Sequence, residues 1–144
     1  MNSKAYAKPI SSTELIEHAK EYDGKMVIFQ GEAVGEVMRR GAFAWVNLND
    51  GANALGIWLP ISLASAITFT GGYKTSGDII EIRGTFHRAC LQHGGDLDIH
   101  AEELTVVKKG CRRQVGFDVR KKYWVFILAG ISVCLLILRV WLAR

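Results

Sequence analysis

Three of the chain's four histidines fall within 14 residues, where His87-x-x-Cys90-x-x-His93 runs into Asp96-x-Asp98-x-His100. Imidazole, thiolate and carboxylate are the donors that hold divalent metals such as zinc. His87, Cys90, His93, Asp98 and His100 are therefore candidate metal ligands. The spacing is neither a paired Cys-x-x-Cys site nor a His-Glu-x-x-His helix. It also suits a polar turn through His93-Gly94-Gly95-Asp96, with His100 solvated on a strand. Cys90 beside a histidine could form a nucleophile–base pair. No Gly-rich phosphate loop, Gly-x-Ser-x-Gly elbow or paired acidic motif accompanies it, so the expectation is a binding protein and not an enzyme.

Positioning these residues requires strands. Leu97, Ile99 and Ala101 alternate with Asp98 and His100, which places the last two on one face of a fifth strand. Ile80, Ile82, Gly84 and Phe86 mark a fourth, separated from it by a loop of about ten residues holding Cys90. Upstream, period-2 alternation begins at Val27 and continues past Val34 until Arg39-Arg40-Gly41 interrupts it. A second strand sets Ala44, Val46 and Leu48 on one face and Phe43, Trp45 and Asn47 on the other. Asn49-Asp50-Gly51 is a turn, and a third strand covers about 54–59. Pro60 opens a short apolar helix over about 61–69, closed by Gly71-Gly72. Ser11 and Glu14 have capping-box spacing and start a helix over about 12–22. Gly31 and Gly84 inside strands suggest the corners of a small barrel. The expected fold is mainly β: a five-stranded OB-fold barrel with an N-terminal helix and one C-terminal transmembrane helix.

The stretch from Gly31 to Gly51 resembles the first two strands of OB-folds that bind tRNA anticodons and related nucleic acids. In those, a strand with an early Gly leads through a basic turn to an aromatic-rich strand ending in Asp-Gly. Gly77-Asp78-Ile79-Ile80-Glu81-Ile82-Arg83-Gly84 is similar to their fourth strand. The resemblance covers about residues 25–107 and marks the fold better than the ligand. It implies binding of oligonucleotides or oligosaccharides on the outer face of strands 2 and 3. Carried onto this chain, the implied ligand-binding surface is Arg39, Arg40, Phe43, Trp45, Trp58 and Arg88. Exposed aromatics beside arginines give single strands a stacking platform and a charge track. The alternative is that Phe43, Trp45 and Trp58 pack inward or under the N-terminal helix. His18-x-x-x-Tyr22 matches a string of the haem chaperone of cytochrome c maturation, which is also a membrane-tethered OB-fold. Here it lies on the N-terminal helix instead of beyond the barrel, and the anchor is at the opposite end, so it reads as a chance match.

Net charge sharpens the organisation. Residues 1–107 hold 9 Lys/Arg against 13 Asp/Glu, a net of −4, and residues 108–122 hold 7 against 1, a net of +6. The folded part is acidic, which weighs against non-specific nucleic-acid binding by charge alone. After the basic segment, Tyr123 to Leu138 is 16 residues without a charge, and Val140, Trp141 and Leu142 extend it past Arg139. Twenty helical residues span about 30 Å, the thickness of a bilayer's hydrocarbon. Tyr123, Trp124 and Trp141 stand where aromatic belts form, and Arg139 can snorkel. The basic flank places the N-terminal domain in the cytoplasm and favours anionic lipid over a nucleic-acid-binding tail. The N-terminal 24 residues carry seven charges and no apolar run of a signal peptide. An odd count of three cysteines, with Cys134 in the apolar span and Cys111 a candidate for palmitoylation, is no disulfide framework.

The expected organisation is a helical extension (1–24), the barrel (25–107), a basic juxtamembrane segment (108–122) and a transmembrane helix (123–142). The expected function is a single-pass membrane protein whose cytoplasmic OB-fold binds single-stranded nucleic acid or a similar oligomer on the strand 2–3 face. The alternative is a metal-binding or protein-partner adaptor that uses the His/Cys cluster.

Overall fold

A computed structural model describes residues 8–113 and 119–142, with side chains omitted for 119–122, and these fall into two units divided at residue 113. In chain order the first unit runs α1 (Ser12–Glu17), α2 (Ala19–Tyr22), β1 (Met26–Arg40), β2 (Phe43–Asn49), β3 (Ala54–Pro60) and α3 (Ile61–Ala64). It continues through β4 (Thr75–Ser76), β5 (Ile79–Cys90), a 3-10 turn (Leu91–His93), β6 (Asp96–Lys108) and β7 (Cys111–Arg112). The second unit is the helix α4 (Val119–Leu142).

Five strands pair in a closed circuit, β1-β2-β3-β6-β5, antiparallel except for the parallel contact between β3 and β6. The alternation read from β2 sorts as expected. Ala44, Val46 and Leu48 are buried, while Phe43 is exposed and Trp45 and Asn47 are partly covered. They join Phe29, Ile57, Leu59, Ile80, Ile82, Phe86 and Ile99 in the barrel core, which Leu15 of α1 helps to close. Gly84 marks a register shift between β5 and β6, and a Cβ there would run into the carbonyl of His100. The strand can turn this corner only without a side chain.

Two helices differ from expectation. The N-terminal helix breaks at His18 into α1 and α2. Its start is as read: the Ser11 hydroxyl accepts from the Glu14 N–H at 3.2 Å. Glu14 does not complete the capping box but accepts from the Tyr22 hydroxyl at 2.6 Å, so Tyr22 serves the helix pair. The expected helix over 61–69 stops at Ala64. Beyond it the Thr68 and Phe69 N–H groups donate to the carboxylate of Asp78, at 2.6 and 3.2 Å, in place of helical carbonyls. Asp78 also accepts from the Gly110 N–H at 2.7 Å, and Lys109 Nζ lies 3.6 Å away. Burial raises this carboxyl, but those donors and the lysine together hold it below its ordinary range.

The same contacts draw the start of the basic segment into the folded unit. Lys109 donates to the Ala66 carbonyl and the Thr68 hydroxyl, and β7 pairs with β4. Residues 114–118, with Asp118, lie outside the described residues, as do the side chains of Arg120, Lys121 and Lys122. In α4, Tyr123–Leu142 is 20 residues long and contains an 18-residue stretch of mean hydropathy 2.5, none of it buried, which is long and apolar enough to cross a membrane.

Candidate functional site

Register carries the site across four strands. Trp45 of β2 stands opposite Trp58 of β3, Trp58 stands beside His100 of β6, and His100 opposes Thr85 of β5. The next row runs Asn47, Gly56, Asp98 and His87. Residues paired across strands share a face, so all of these side chains rise from the outside of the barrel. Gly56 leaves room for the Trp45 indole: a Cβ at this position would overlap its six-membered ring. The indole N–H donates to Asn47 Oδ1 at 3.2 Å, fixing the ring along the face. Phe43 and Trp58 stack with centroids 5.1 Å apart and planes at 12°.

The turn after β5 folds back over this surface. Its His93 ring sits 5.1 Å from Trp45 and 4.7 Å from Trp58, edge-on to the first and tilted against the second. His93 Nδ1 bonds to Asp98 Oδ2, whose carboxylate is fully buried beneath the turn. His100 Nε2 lies 3.3 Å from the same oxygen and 3.4 Å from Cys90 Sγ. The other carboxylate oxygen, Asp98 Oδ1, is buried with no hydrogen-bond partner. The aromatic residues and the His/Cys cluster, legible in the sequence as separate features, are one continuous patch joined at His93.

Of the five candidate metal ligands, four converge. One donor atom each from Cys90, His93, Asp98 and His100 lies within 4.8 Å of the others. His87 stands outside this group, its ring edge-on to His100 at 4.5 Å. Cys90 is the buried end of β5 and not part of an open loop, and burial pushes its thiol up, with Asp98 adding to the rise. His100 is lowered, by burial first and then by His87 and His93, against the pull of Asp98. A relay from Asp98 through His100 to Cys90 would need opposite ring nitrogens, yet both partners face Nε2.

The basic candidates separate. Arg40 opposes Phe43 in register and so stands on the aromatic face; Arg39 opposes the inward Ala44 and emerges at the barrel's mouth. Neither meets a carboxylate among the described residues. Arg88 is held elsewhere: its Nε lies 3.4 Å from Asp23, and its N–H donates to the same carboxylate at 3.1 Å. His18 pairs with Glu21 at 3.5 Å on the helix surface, and Tyr22 bonds to Glu14. Met38, opposite Trp45 on β1, is a neighbour of the platform that sequence reasoning missed; a bulge between Val34 and Met38 sets its register.

No protein-family model matches the chain, and no curated protein does. Solved structures do. The crystal structure of asparaginyl-tRNA synthetase from Pyrococcus horikoshii complexed with asparaginyl-adenylate is similar over 71% of this chain and 23% of its own, with TM-score 0.53 and 18% identity. The aspartyl-tRNA synthetase of Entamoeba histolytica is similar over 78% of this chain and 23% of its own, with TM-score 0.56 and 16% identity. The chain thus spans about a quarter of the length of these synthetases. At such identity the likeness shows the fold: a five-stranded barrel of OB type, as the stretches 31–51 and 77–84 imply.

Proposed function

We propose that this chain is a membrane-anchored binding module that takes single-stranded nucleic acid, or a chemically similar oligomer, on the β2–β3 face. The observation that carries the reading is the aromatic group on the outside of the barrel: Phe43, 40% exposed and stacked on Trp58, with the partly covered Trp45 next to Trp58 and Arg40 opposite Phe43. Base stacking on such residues is sequence-tolerant and contributes about 1–3 kcal/mol per base. It suits a barrel whose net charge is acidic, because stacking does not depend on counterion release. The fold shared with part of two tRNA synthetases supports the same ligand class. Charge attraction is left to the basic residues around 108–122, close to the membrane.

The anchor in this reading is α4. Its apolar span has the length of a bilayer, and the lopsided basic flank favours a cytoplasmic barrel. We read the site as a binding surface: Asp98 and Cys90 both face Nε2 of His100, an arrangement that favours a shared ligand over a three-residue relay. Full-length protein in nanodiscs, titrated with fluorescein-labelled single-stranded RNA, tests the reading. Saturable anisotropy change, weakened by Trp58→Ala, supports it. Absence of binding at low salt contradicts it.

A further inference from the structure

We propose that Cys90, His93, Asp98 and His100 form a four-ligand site for a divalent metal, zinc above all, that fixes the turn carrying His93 onto the aromatic face. The donors come from three places the topology makes adjacent: the end of β5, the 3-10 turn and the start of β6. Tetrahedral zinc, with bonds of about 2.0–2.3 Å, needs donor separations of roughly 3.3–3.8 Å. The pairs Cys90 Sγ to His100 Nε2, at 3.4 Å, and Asp98 Oδ2 to His100 Nε2, at 3.3 Å, already meet that requirement. His93 Nδ1 and Asp98 Oδ2 are in direct contact and would have to move apart to share one tetrahedral ion.

An independent observation points the same way. Asp98 is fully buried, and its Oδ1 has no hydrogen-bond partner. A buried carboxylate ordinarily satisfies both oxygens; an ion gripped through both oxygens of Asp98 would give Oδ1 its partner while keeping the Oδ2 contacts. One thiolate, one carboxylate and two neutral imidazoles carry two negative charges, which a divalent ion balances inside a covered site. The thiolate selects against magnesium and calcium, while the mixed nitrogen, sulfur and oxygen set suits zinc. This site stands on its own geometry and does not depend on what the outer face binds.

Untagged full-length protein in detergent, loaded with zinc and desalted, supplies the test by elemental analysis. The expected result is one zinc per chain, lost in both Cys90→Ser and His100→Ala and kept in His87→Ala and Cys111→Ser. Because the first two variants could misfold, the unmutated chain is also loaded with cobalt. A tetrahedral visible spectrum with a thiolate-to-cobalt charge-transfer band is expected, with quenching of tryptophan fluorescence as the metal reaches the neighbours of His93. Absence of stoichiometric zinc together with absence of the thiolate band would overturn the proposal. So would metal that survives both Cys90→Ser and His100→Ala. Either result leaves RNA binding by the same preparation to be scored separately.

Discussion

His93 bonds through Nδ1 to the buried carboxylate of Asp98, and the same ring lies against Trp45 and Trp58. One side chain therefore connects a covered polar cluster to an outward aromatic surface. What holds His93 in place also shapes the face that a ligand would meet.

Removing that carboxylate should be costly. Asp98→Ala leaves His93 and His100 without their shared partner at a site with little access to water. Leaving part-buried polar groups without their hydrogen-bond partner costs about 1–3 kcal/mol. Chemical denaturation of the full chain in detergent should show a loss of that order. A loss below about 1 kcal/mol would mean that Asp98 does not organise the cluster.

Gly56→Ala should disturb the platform without touching a polar group. The added methyl occupies the volume of the Trp45 ring, which must swing outward. Overpacking of this sort costs about 1–3 kcal/mol. The expected signature is a shift in tryptophan emission accompanied by weaker RNA binding. Unchanged emission and affinity would show that the indole is not confined by Gly56.

The two arginines should differ. Arg40 stands beside Phe43, whereas Arg39 emerges from the opposite side of the strand. Removing one phosphate contact to a single strand lowers the salt slope of the binding constant by about 0.7. Arg40→Ala should show that change and Arg39→Ala a smaller one. Equal slopes for both variants and the unmutated chain would exclude a phosphate contact at Arg40.

Acid stability should report Asp50. Its burial pushes the carboxyl up, but donors from Ser12, Asn53 and Ala52 outweigh this and hold it at about 2, against an ordinary 3.8. The folded value is depressed, so the contribution is fully present above the unfolded value and disappears as pH falls through about 2. With solvent screening at this partly exposed group, the effect is about 1 kcal/mol. Asp78 is lowered in the same direction. The Tm of Asp50→Asn should therefore fall less between pH 5 and 2 than that of the unmutated chain. Parallel curves would refute the assignment.

The sequence makes local order legible. Period-2 alternation sorts β2 into buried Ala44, Val46 and Leu48 and outward Phe43 and Trp45, and Ser11 caps α1 as its spacing predicts. What escapes is order that arises from distant segments. Parallel pairing of β3 with β6 sets Trp58 beside His100, and no periodicity encodes that pairing. The turn's return over the face is likewise invisible, because it depends on Asp98 capturing His93. The expected helix at 61–69 ends early for the same reason: Asp78, ten residues beyond Thr68, takes the amides that the helix would have used.

A single strand lying on the aromatic face would reveal itself most directly by where it crosslinks. Full-length protein in nanodiscs is irradiated with a uridine-rich RNA, and adducts are mapped by mass spectrometry. Adducts are expected on peptides containing Phe43, Trp45 and Trp58, reduced by Trp58→Ala. Adducts confined to the basic segment at 108–122, with none on β2 or β3, would contradict that placement.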